Sequence, residues 1–108
     1  MIKIRFWGGP DNIEGFMVWG HSGYAPPGRD IVCAAVSAIC TGALIGLVDL
    51  FPRNTRYIIL PRGLIYCKMR GRLTASRARQ AQLIFRVAFL SLKAVQRSYG
   101  EYIDLVGG

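Results

Sequence analysis

The sequence predicts an α+β domain in two layers, ordered β-β-α-β-β-α-β, with two helices on one face of an antiparallel or mixed sheet. Three observations predict it. Alternating segments open the chain and recur in its middle, a charge-free apolar run fills 31–48, and apolar residues recur at helical spacing over 75–98. Residues 2–7 form the first strand, with Ile2, Ile4 and Phe6 facing one way and Lys3, Arg5 and Trp7 the other. Gly8-Gly9-Pro10-Asp11-Asn12 is a turn, and residues 13–19 return as the second strand. Gly23, Pro26, Pro27 and Gly28 make 22–29 a loop able to cross the mouth of a site. Asp30 is the N-cap of a central helix that runs to about Asp49 and stops before Pro52. Its line of Ala34, Ala38 and Gly42 admits a close neighbour. Residues 56–60 and 64–70 pair through Pro61-Arg62-Gly63, and Thr74 caps a helix over 75–98. That helix carries its core stripe on Ile84, Phe85, Ala88, Leu92 and Val95. Residues 101–106 close the order as a last strand.

A chain of 108 residues with 52% hydrophobic content fits a single domain, 1–108, small enough to gain from oligomerisation. Its 14 Lys and Arg against 6 Asp and Glu give a formal charge of +8, and every charged residue from Arg53 to Arg97 is basic. Such a half-chain attracts phosphate or an acidic surface. Arg77 and Arg79 stand out as candidate anion-binding residues, because cations near a helix N-terminus oppose its dipole and a bound anion would offset that cost.

Cys33, Cys40 and Cys67 are odd in number and form no CxxC pair, so neither a disulfide framework nor a structural zinc site is indicated. No metal or cofactor is implied, and a reducing, cytoplasmic setting is expected. Residues 1–7 lack the apolar segment and cleavage site of a signal peptide. The run from Ile31 to Val48 falls short of the roughly 20 apolar residues of a bilayer span, and Ser37, Thr41, Gly42 and Gly46 dilute it. A core helix, with no membrane partner, is the expectation.

The chemistry concentrates between Gly20 and Ala38. Cys33 falls at the third position of the central helix, where unpaired N–H groups and the positive helix end favour a thiolate. His21, the one histidine, can take the thiol proton and later protonate a leaving amine if the loop folds back. Asp30 caps the helix through the Val32 or Cys33 amide and is placed to orient His21 as a third member. Ser37 lies one turn beyond Cys33 on the same face and is given a supporting role. In such an apolar setting a cysteine is also an ordinary small core residue, and that reading is taken for Cys40, in mid-helix, and Cys67, within a strand. Redox chemistry lacks a resolving cysteine near Cys33.

The block Gly20-His21, Gly28-Arg29-Asp30-Ile31-Val32-Cys33-Ala34-Ala35 and Ser37 resembles the bacterial ribosomal-processing cysteine protease family, whose pattern is Gly-His, a short loop, Gly-x-Asp-Ile-Val-Cys-Ala and a following Ser. The strand Met1-Ile2-Lys3-Ile4, the segment Ala81-Gln82-Leu83 and the ending Tyr99-Gly100-Glu101-Tyr102-Ile103 extend the resemblance over nearly the whole chain. The resemblance implies Cys33 as nucleophile and His21 as general base, with Asp30, Ser37 and Gly20 in support. It also implies a substrate loop of Ser22, Gly23, Tyr24, Ala25, Pro26, Pro27, Gly28 and Arg29 that orders over bound peptide. The implied reaction is removal of the N-terminal extension of a large-subunit ribosomal protein, after a hydrophobic and aromatic stretch, by a homodimer. Two departures stand out. Ser22 replaces the alanine usual after the histidine, which preserves the site's size but alters loop hydrogen bonding, and the basic run is heavier than is usual. That run admits contact with ribosomal RNA, or simply a solvated cationic surface. The alternative is a non-catalytic ribosome- or RNA-binding module using the basic surface of residues 53–97. Its aromatics Tyr57, Tyr66, Phe85, Tyr99 and Tyr102 form no recognised RNA-binding motif.

Overall fold

Apolar alternation builds the first layer. In the computed structural model, which describes residues 1–26 and 28–107, β1 (Ile2–Gly9) turns Ile2, Ile4 and Phe6 into the core. It pairs antiparallel with β2 (Asn12–Trp19), whose Phe16 and Val18 join the same face, and a bulge between Trp7 and Gly8 shifts the register near the turn. β4 (Leu64–Met69) pairs with β2, and β3 (Thr55–Leu60) pairs with β4 at the sheet edge, both antiparallel. β5 (Ile103–Val106) adds to β1 in parallel, giving the order β3-β4-β2-β1-β5 and a mixed sheet. The expected order of elements and the two-layer arrangement are both present.

The second layer is α1 (Ile31–Leu50) and α2 (Ala75–Tyr99). α1 spans about 30 Å at about 1.5 Å per residue. It is long and apolar enough to cross a membrane by length and composition, but one face, with Val32, Val36, Cys40, Leu44 and Leu47, lies in the core. The small-residue line, expected to admit a sheet or another helix, turns away from the sheet: Ala34, Ala38 and Gly42 are exposed while Val32, Val36, Cys40 and Leu44, two positions to either side, fill the core, and Ala38 and Gly42 border a groove against α2. α2 buries Ala81, Phe85, Ala88 and Leu92, with Ile84 and Val95 packed against that core. Phe85 meets Phe16 edge-on at 6.2 Å, joining the layers. Gln82 supplements this packing by bonding both backbone groups of Ile13, accepting from its N–H at 2.7 Å and donating to its carbonyl at 2.9 Å.

The helix caps follow the sequence. Asp30 accepts from the Cys33 N–H at 2.9 Å and Thr74 from the Arg77 N–H at 3.3 Å. Residues 101 and 102, expected to start the last strand, belong instead to a 3-10 turn over Gly100–Tyr102. That turn redirects the chain from α2 into β5, which pairs with β1 only from Ile103.

Candidate active site

The site is built where β2 ends and α1 begins. Gly20 turns the chain out of β2 at φ +89°, and a Cβ there would sit 2.7 Å from the Met1 carbonyl oxygen, so a side chain would be excluded. His21 follows, exposed, and then Ser22, which is buried at 5% exposure. Asp30, in extended backbone, starts α1, and Cys33 is thereby fixed at the third helical position with partial exposure.

A hydrogen-bond circuit closes this corner. The Ser22 N–H donates to Cys33 Sγ at 3.3 Å, the Ser22 hydroxyl donates to Asp30 Oδ2, and Asp30 Oδ1 accepts from the Cys33 N–H. The Tyr24 N–H donates to the same Ser22 hydroxyl at 3.0 Å. Partial desolvation works against the ionised Asp30 carboxyl, but the bonds from Ser22, Cys33 and the Ala25 backbone outweigh it and hold its pKa at about 2. Asp30 is therefore a carboxylate at neutral pH. It organises Ser22 and Cys33; among the described residues it makes no hydrogen bond to His21, so the expected orienting role has no contact behind it here. Its two oxygens are already engaged at the helix start.

Two cavities meet at the cysteine. The larger, about 490 Å³, is lined by His21, Gly23, Ala25, Gly28, Arg29, Asp30, Ile31, Cys33, Ala34 and Ser37. The smaller, about 240 Å³, is lined by Ile2, Val18, Gly20, His21, Cys33, Val36, Ser37, Arg62 and Gly63. His21, Cys33 and Ser37 border both, so the structure brings together the residues selected from sequence. Among the described residues no hydrogen bond yet joins His21 to Cys33. Burial pushes the Cys40 and Cys67 thiols up to about 12, leaving Cys33 as the cysteine open to reaction.

Other features were not legible locally. The β3–β4 turn reaches the smaller cavity through Arg62, whose φ of +73° is unusual for a non-glycine residue. The loop is fastened to the far end of the chain by Tyr24, which meets Tyr99 at 5.7 Å and Tyr102 at 5.3 Å, both edge-on. Within the loop, whose Pro27 lies outside the described residues, the Arg29 N–H donates to the Pro26 carbonyl at 3.0 Å. Arg77 is committed elsewhere: it donates to the Leu50 carbonyl at 2.7 Å and lies 4.9 Å over the Phe51 ring. That places a cation at the negative end of α1, a structural use that the anion-binding expectation did not include. Arg79 is exposed on α2.

Residues 1–104 match the sequence family described as Cysteine protease Prp. The ribosomal processing cysteine protease Prp of Bacillus subtilis (strain 168) is 30% identical over 88 residues, covering 81% of this chain and 79% of that protein. The chain belongs to the Prp family of cysteine proteases. Solved structures show the Prp fold shared in full. A crystal structure of the Staphylococcus aureus ribosomal processing protease Prp with a covalently linked product peptide superposes at a TM-score of 0.84, with 23% identity and complete coverage of both chains. A second, of the same protease with a substrate peptide, gives 0.78 at 22% identity and complete coverage of both. A Streptococcus mutans protein gives 0.76 at 24% identity, over 97% of this chain and 91% of that one.

Proposed function

We propose that this Prp-family chain is a cysteine endopeptidase that removes the N-terminal extension of a large-subunit ribosomal protein, with Cys33 as nucleophile and His21 as general base. The observation that carries this reading is the position of Cys33: at the positive end of α1, at the junction of two cavities, with His21 on both. Sγ attacks the scissile carbonyl carbon as its proton passes to His21. The carbonyl electrons move onto oxygen, where a preorganised N–H is most effective. Backbone N–H groups near the start of α1 hold that oxygen. When the C–N bond breaks, His21 returns the proton to the leaving amine. Water, deprotonated by His21, then hydrolyses the thioester and restores the thiol.

Asp30 supports the site by capping α1 and holding Ser22, while Ser37 borders the substrate path in both cavities. The loop 22–29 closes over the peptide, drawing His21 toward Cys33. The protein acts as a single catalytic domain in the cytoplasm and as a homodimer. Exposed Ile45, Leu83 and Val87 on the helical side supply apolar surface for association. The relatives named for ribosomal processing support the substrate assignment.

The test is incubation with a peptide spanning the hydrophobic and aromatic N-terminal extension of the organism's own large-subunit ribosomal protein. One internal cut, lost in Cys33→Ala, is expected. Unchanged cutting by Cys33→Ala overturns the nucleophile, and no cutting by the parent overturns the substrate.

A further inference from the structure

The helices cover one face of the sheet and leave the other open. Register places Trp7, Gly15, Lys68 and Arg56 on one rung of the open face, and Arg5, Met17, Tyr66 and Ile58 on the next. Gly15 gives the Trp7 ring room to lie across the strands, since a Cβ there would come within 2.8 Å of it. Trp7 and Tyr66 lie 5.6 Å apart with their planes tilted by 31°, making an aromatic platform. Beside it, Arg56 and Lys68 occupy directly opposed positions, a like-charge pairing that sheets disfavour. With Arg70 and Tyr66 they line a concavity of about 500 Å³. Among the described residues the one ion pair is Arg5 with Asp104, so this cationic group has no carboxylate partner.

We propose that the open sheet face binds single-stranded nucleic acid, with phosphates on Arg56, Lys68 and Arg70 and a base against the Trp7–Tyr66 platform. The two components answer to different parts of such a ligand. Unpaired cations neutralise backbone phosphate, and flat rings beside them stack unpaired bases without regard to sequence. An acidic peptide would use the cations and leave the rings idle. The peptidase residues are not part of this surface, so the proposal stands apart from the cleavage reaction.

Fluorescence anisotropy with labelled 12-nucleotide single-stranded RNA, and DNA of the same sequence, tests it. Three phosphate contacts give a log–log salt slope of about −2, or about twentyfold weaker binding between 50 and 200 mM salt. Arg56→Gln with Lys68→Gln should reduce the slope to about −0.7, while Tyr66→Ala should weaken binding at every salt concentration and leave the slope unchanged. Tighter RNA binding assigns the face to RNA; equal or tighter DNA binding assigns it to single strands generally. Binding unchanged in the double variant or in Tyr66→Ala overturns the proposal, as does equal competition by polyglutamate. So does loss of dimer mass in the double variant by light scattering, which would mark the face as an interface between copies. Peptide cleavage by each variant verifies its fold.

Discussion

Replacing Asp30 by alanine removes the acceptor for both the Cys33 N–H, at 2.9 Å, and the Ser22 hydroxyl. Loss of the cap costs about 1 kcal/mol, and loss of the partly exposed Ser22 bond about 1 kcal/mol more. For a chain of 108 residues the sum is a fall of about 8 °C in Tm. Asp30→Asn separates shape from charge, because asparagine caps helices as well as aspartate does. It should retain more than half of that stability at pH 7. The sign of the pH dependence follows from the lowered pKa: the carboxylate contributes fully above its ordinary value of 3.8, and the contribution is lost as pH falls towards about 2. The Tm gap between the parent and Asp30→Asn should therefore close between about pH 4 and pH 2. Calorimetric scans of parent and both variants across that range test it. A gap independent of pH, or an alanine variant as stable as the parent, would refute the account of the helix start.

Three further outcomes follow from contacts elsewhere in the fold. Native protein treated with iodoacetamide at pH 8 should gain one adduct, on Cys33, and three only after unfolding, because thiols held near 12 are ionised in about one molecule in 10,000; early labelling of Cys40 or Cys67 by peptide mapping would contradict this. Tyr24→Ala deletes two edge-on contacts worth about 0.5–1.5 kcal/mol each beyond area burial, so hydrogen exchange should accelerate in loop 22–29 and KM for the extension peptide should rise, with the midpoint of global unfolding little changed. Gln82→Ala strips Ile13 of both backbone partners and should destabilise the fold by about 2 kcal/mol, measured by urea unfolding, while leaving cleavage intact at low temperature.

Where the physics is local, the sequence carried the fold well. Alternation placed the strands of the β1–β2 and β3–β4 hairpins within a residue or two, and Asp30 and Thr74 marked both helix starts. Cys33 and Asp30 were legible for the same reason, since a cap fixes its neighbours three residues on. His21 depended on the pattern of the whole block rather than on its own surroundings. What remained hidden arises from contacts across the fold. Arg62 reaches the site only because β4 pairs with β2, and Tyr24 finds Tyr99 and Tyr102 only because α2 ends beside the loop. Arg77 illustrates the converse: its position at a helix N-terminus suggested an anion, while its long side chain reaches the C-terminus of α1. The line of Ala34, Ala38 and Gly42 turns away from the sheet because helix rotation is set by Val32, Val36 and Leu47, which bury more apolar surface, and its Ala38 and Gly42 border a groove against α2 instead.

The central claim is that Cys33 forms the covalent intermediate. Acid quenching during turnover of the extension peptide, followed by intact-mass and peptide mapping, reads this directly. The expected result is an adduct of the amino-terminal fragment, less one water, on the peptide containing Cys33, absent in Cys33→Ala and strongly reduced in His21→Ala. An adduct on another residue, or continued cleavage by Cys33→Ala, would contradict the assignment.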